Sequence, residues 1–218
     1  MFRQKLHQRP LRRQAIAKRD AGIMSWPLIK CGDLVLVKKP GALGKLLDEW
    51  FIPGSAEMHL IVVGDYVPEE NDFLIIESIP RHGVQIGRLS WYAKDTVRIF
   101  RPSPDFVPLY FNGTPEELGV RAFHQATKYG KDKYDFRIIL TVVWITATIC
   151  MRNWASGRGW HVSYTDFPNT RDQRVICTEL GYEAYRDLFP VVDSRYLPLP
   201  CNFIASYEKG LLNHIGGW

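Results

Sequence analysis

A chain of 218 residues with 46% hydrophobic and 23% charged side chains is long enough to bury one sizeable core. Its 7 Trp, 10 Tyr and 11 Phe exclude a disordered polypeptide. The formal net charge of +5 is unevenly spread: residues 1–20 carry seven Lys or Arg and one Asp, so the remainder is close to neutral and offers no basic face for sequence-specific nucleic-acid recognition.

Residues 1–26 read as a basic arm, suited to nucleic acid, an anionic surface, an acidic protein partner or no partner at all. It lacks an apolar stretch followed by a small-residue cleavage site, so no secretory signal peptide is expected. A domain is predicted over 27–190. Its first strand is Leu34–Val37, entered through a Gly32-Asp33 turn. Residues 42–51 have the spacing of a short amphipathic helix, ended by Pro53-Gly54. At its start Gly41 to Lys45 lacks the spacing of a phosphate-binding loop. A second strand is predicted over His59–Val63, stopping at Gly64-Asp65. A third covers Phe73–Ser78, a further piece Val84–Ile86, and another strand Thr96–Phe100. Short turns between them predict a small antiparallel sheet or barrel.

Beyond Pro102 the pattern turns helical. Thr114-Pro115-Glu116-Glu117 is a helix start, with Thr as cap, Pro in the first position and acids in the first turn; the helix is expected to run to about Tyr129. Ile138–Cys150 is a run of apolar and hydroxyl side chains between Arg137 and Arg152. It is too short for a transmembrane segment, which needs about 20 residues. It reads as buried core, with a membrane- or partner-facing patch as the lesser alternative. Gly157–Pro168 is irregular, a helix is expected from Cys177 to Leu188, and 191–218 reads as an ordered or semi-ordered C-terminal tail. Strands first and helices second make an α+β class.

The four cysteines are widely spaced and form no CxxC pair, so neither a zinc finger nor a disulfide scaffold is expected. No cofactor is called for, and His59, Glu77, His82 and Cys177 make a poor metal set. Cys177 opens a predicted helix, where unpaired backbone N–H groups and the helix dipole favour a thiolate and can receive an oxyanion. Alone, a cysteine is more often a packed core side chain. His59 opens an apolar strand and is the candidate base; otherwise it is a histidine satisfied by a carbonyl. If the strands at 59–63 and 73–78 pair antiparallel, Glu77 comes near His59 and can orient its imidazole. The plainer alternative pairs Glu77 with Arg81 or Arg98.

In order, Gly32-Asp33-Leu34-Val35, the strand Ser55 to Gly64 bearing His59, Ile75-Ile76-Glu77-Ser78 with Gly83-Val84, the strand ending in Arg101, Tyr134-Asp135-Phe136 and Ile176-Cys177-Thr178-Glu179-Leu180 through Tyr185 resemble the motifs of the circularly permuted NlpC/P60, papain-like cysteine hydrolases of the YiiX/YaeF type. The resemblance covers about 32–185. It departs from the pattern in two extra residues between Ser55 and His59, in Glu57 before the histidine, and in a longer 137–174. It implies Cys177 as nucleophile, His59 as base and Glu77 as orienting acid, hydrolysing an amide, or less often an ester or thioester, through an acyl-enzyme. A peptidoglycan stem peptide is the first substrate it suggests and an acyl-lipid the second. Another possibility is an anchoring component of a larger assembly, such as a phage particle, with a dormant site and with the arm and tail gripping neighbours. Cytoplasmic or virion-associated placement is expected.

Overall fold

The computed structural model describes residues 28–38, 59–79, 82–130, 136–157, 176–192 and 198–218. The basic arm, the helix expected at 42–51, the Ser55–Met58 lead-in to His59, Tyr134-Asp135 and most of the 157–168 stretch lie outside them.

The class is α+β. Six antiparallel strands form one open sheet in the order β4-β3-β2-β1-β5-β6. They are β1 (Leu34–Lys38), β2 (His59–Val67), β3 (Asp72–Ile79), β4 (Gly83–Arg88), β5 (Thr96–Pro102) and β6 (Leu212–Gly217). A short 3-10 turn, Leu89–Tyr92, joins β4 to β5. The helices are α1 (Val107–Tyr110), α2 (Pro115–Thr127), α3 (Phe136–Ala155), α4 (Cys177–Tyr185) and α5 (Pro200–Glu208).

Central β1 has all of Leu34 to Val37 fully buried, because both faces of the sheet are covered. On one face Leu34, Leu36, Leu60, Val62 and Phe100 pack with Leu118, Phe123, Leu180, Tyr185 and Phe203, which helices α2, α4 and α5 bring down. On the other, Val35, Val37, Ile61, Ile75 and Ile99 are closed over by Leu89 and Tyr92, with Trp91 and Trp218 at the margin.

Several elements differ from expectation. β2 runs on to Val67, because a bulge between Val63 and Tyr66 absorbs the Gly64-Asp65 step that the sequence suggests as a stop. The helix expected to reach Leu188 ends at Tyr185. The described part of 191–218 is built into the domain: α5 packs Phe203 into the main core, and β6 pairs with β5 from Arg98↔Gly217 to Pro102↔Leu212. Two glycines in β6 mask its strand character. The apolar run is helical and longer than expected, and its described side chains are not all core: Trp144, Met151 and Trp154 are exposed. Among the described residues no helix is long and apolar enough to cross a membrane.

α2 begins as the sequence predicts. Thr114 Oγ1 accepts from the Glu117 N–H, and Glu117 Oε2 accepts from the Thr114 N–H at 2.8 Å. It then passes so close to the Gly32 turn that backbones touch. Gly32 adopts φ +89, and a Cβ on Gly119 would stand 2.1 Å from the Cys31 carbonyl oxygen. Gly119→Ala is therefore expected to destabilise the fold by about 1–3 kcal/mol despite its better helix propensity, read as a lower urea midpoint. An unchanged midpoint would show that α2 can retreat without loss.

Candidate active site

His59 is the first residue of β2, and Cys177 is the first residue of α4. α4 lies against β2, with Gly181 over Leu60: a Cβ at 181 would stand 2.0 Å from Leu60 Cδ2. This close approach brings the start of the helix to the start of the strand. The Cys177 thiol is hydrogen-bonded to the His59 ring and also meets the backbone N–H groups of Leu60 and Thr178. The helix is capped from within, since the Ile176 N–H donates to Glu179 Oε2 at 3.0 Å.

β2 and β3 pair antiparallel with Ile61 opposite Glu77. His59 therefore lies diagonally from Glu77 on the same face, within reach of a long side chain. His59 Nε2–H donates to Glu77 Oε2 at 2.7 Å. With Nε2 so engaged, Nδ1 is the nitrogen left to the sulfur. The three predicted site residues are thus brought together, and all are buried: Cys177 and His59 are each 6% exposed and Glu77 1%. The partners described for the Glu77 carboxylate are His59, Gln85 and Tyr92; Arg81, one of the plainer alternatives, lies outside the described residues.

Two further residues complete the site. Gln85, opposite Glu77 in the β3–β4 pairing, donates from Nε2 to Glu77 Oε1 at 2.8 Å. Tyr92 donates its hydroxyl to Glu77 Oε2, and the Tyr92 hydroxyl oxygen lies 3.1 Å from His59 Nε2. Trp218 Nε1–H in turn donates to the Tyr92 carbonyl at 3.2 Å. Sequence reasoning missed both contacts to the carboxylate. Counting the register back from the Gly83 turn finds Gln85, whereas nothing local points to Tyr92, which arrives through the 3-10 turn.

The electrostatics follow from this wiring. Burial pushes the Glu77 carboxyl up, but the His59 bond and charge, with the Tyr92 and Gln85 donors, hold it below its ordinary range. Burial disfavours a charged His59, yet its bonds to Cys177 and Glu77 and their charges raise it to about 9. Burial likewise pushes the Cys177 thiol up, and the His59 bond and charge with the two backbone N–H groups bring it below its ordinary value. The other thiols move the opposite way. Burial, with Asp65 beside it, pushes Cys31 to about 12, burial takes Cys201 to about 11, and burial also raises Cys150. The arrangement can hold a thiolate–imidazolium pair at neutral pH, attack a carbonyl carbon and return a proton to a leaving group.

Tyr92 acts here as a positioning residue. Tyr92→Phe removes one donor from a buried carboxylate, so Glu77 takes up its proton at a higher pH. The acid limb of stability is expected to move up by about 1 pH unit, with little change at pH 8. The stabilising contribution of Glu77, present above its ordinary value and lost as pH falls through its lowered one, shrinks in the same window. An acid limb that stays in place would leave Tyr92 a packing role only.

A second buried carboxylate sits one strand away. Arg101 Nε and Nη2 donate to the two Asp33 oxygens at 2.7 and 2.8 Å, and the Lys30 N–H donates to Asp33 Oδ2 at 2.8 Å. This pair clamps the entry turn of β1 to the end of β5, opposite the strand that carries His59. The chain matches no protein-family model and no curated protein sequence.

Proposed function

We propose that the protein is a thiol hydrolase of the circularly permuted NlpC/P60, papain-like class, cleaving an amide through an acyl-enzyme on Cys177. The observation that carries this is the continuous chain Cys177–His59–Glu77, with the one thiol of lowered pKa at the first position of a helix. In the reaction the Cys177 thiolate attacks the carbonyl carbon, and the developing oxyanion faces N–H groups at the α4 N-terminus. The His59 imidazolium protonates the departing amine as the C–N bond breaks. Water, deprotonated by His59, then attacks the thioester and regenerates the thiol. Glu77 stabilises the charged imidazole and stays ionised throughout. The proposed substrate is an amide of a peptidoglycan stem peptide.

The burial of both Cys177 and His59 favours one second reading: a dormant site carried in a larger assembly. Graded-pH alkylation, mapped on all four cysteines by mass spectrometry, separates the two. Labelling of Cys177 far ahead of Cys31, Cys150 and Cys201 at neutral pH, together with release of a new amine from muropeptides, supports the hydrolase. Fast labelling without turnover points to another substrate class. Labelling of Cys177 no faster than the rest supports the dormant site.

A further inference from the structure

In its C-terminal part, from Trp144 to Ala155, helix α3 carries its larger apolar side chains outward. Over residues 144–155, Thr146, Ile149 and Cys150 are buried along one face, while Trp144, Ala147, Thr148, Met151 and Ala155 fall on the opposite face, with Trp154 at its margin. Trp144 is 72% exposed, Met151 57% and Trp154 64%. The inward face includes a Thr146 hydroxyl with no hydrogen-bond partner among the described residues. A helix facing water has the reverse arrangement, apolar inward and charged outward.

The charges narrow what can cover this stripe. The 20-residue helix contains no acidic residue, and its cations, Arg137 and Arg152, stand near its two ends. A second copy docked through the same helix would set cation against cation. An anionic surface meets the exposed Arg152 with opposite charge, and tryptophan sits well at the boundary between headgroups and acyl chains. The sequence adds a second signal of the same kind, the seven Lys or Arg in residues 1–20.

We propose that α3 lies flat on an anionic lipid surface, with Trp144 and Met151 entering the headgroup–acyl boundary and Arg152 at the level of the phosphates. The helix rests on the surface and does not cross it. This docking does not depend on the thiol chemistry, and its test does not use turnover.

The full chain is sedimented with phosphatidylcholine vesicles and with mixed phosphatidylcholine–phosphatidylglycerol vesicles. Binding to the mixed vesicles is expected, weaker to the neutral ones and weaker at high salt. Trp144→Glu and Met151→Glu should each lower the partition coefficient about tenfold with an unchanged circular dichroism spectrum. Because a charged substitution can disturb a helix, Trp144→Phe is the companion variant. It should keep binding while losing part of the fluorescence quenching by brominated lipid that the unaltered chain shows. Absence of binding to the mixed vesicles overturns the proposal. So does equal binding by the two glutamate variants, which would assign attraction to the basic arm alone. A concentration-dependent dimer that the same variants abolish, without vesicle binding, would assign the stripe to a second copy.

Discussion

His59→Gln is expected to slow alkylation of Cys177 at pH 7 by about 100-fold or more. Without the imidazole the thiol loses the bond and charge that lower it, and burial then holds it at or above its ordinary value of 9.0. At pH 7 a thiol of that kind is about 1% thiolate. Turnover should fall further, because the same ring also delivers the proton to the leaving group. The two assays differ in pH dependence. Alkylation of the unaltered protein rises at the lowered value of Cys177 and then stays flat. Hydrolysis falls again as pH rises through about 9, where His59 loses its proton. Stability follows the same group: the contribution of charged His59 is complete below its ordinary value and is lost as pH rises through about 9, so the substituted protein should lose less over that interval. If alkylation rises only near pH 9 in both proteins, no ion pair forms.

Arg101→Met should lower stability by about 3 kcal/mol, read from urea unfolding. Asp33 is fully buried, and the substitution leaves its carboxylate with the Lys30 N–H as the remaining partner described for it. Breaking a buried pair from one side costs about 3–5 kcal/mol, and the partly exposed guanidinium argues for the lower end. Asp33→Asn combined with Arg101→Met should recover part of the loss, because a neutral amide is cheaper to bury than an unpaired charge. A single-substitution loss below about 1 kcal/mol would mean that Asp33 is already neutral in the fold.

The antiparallel strands were legible because their apolar runs are broken by turn residues, and α2 because its cap, proline and acids are adjacent in sequence. The proximity of His59 and Glu77 followed from one hairpin, so a local pattern sufficed. What escaped were features set by distant partners. Gly216 and Gly217 hide a strand whose pairing is supplied by β5. Asp33 and Arg101 each stood out, but their contact depends on β1 and β5 being neighbours. Tyr92 is an ordinary aromatic until the 3-10 turn folds it over β3. The outward stripe of α3 stands only as the lesser reading of its apolar run, because such a run reads as core whichever way it faces.

The bond from Trp218 to the Tyr92 carbonyl spans 126 residues of chain, whereas His59 and Glu77 are only 18 apart. The two halves of the site therefore close loops of very different length. A hairpin can close in about 1–10 μs and set the imidazole against its carboxylate. Docking of α4 and addition of β6 must wait for long loops to close, which is slower. The unfolded or nascent chain carries four cysteines of ordinary reactivity, and the one easily oxidised or alkylated at neutral pH comes into being only with the completed sheet.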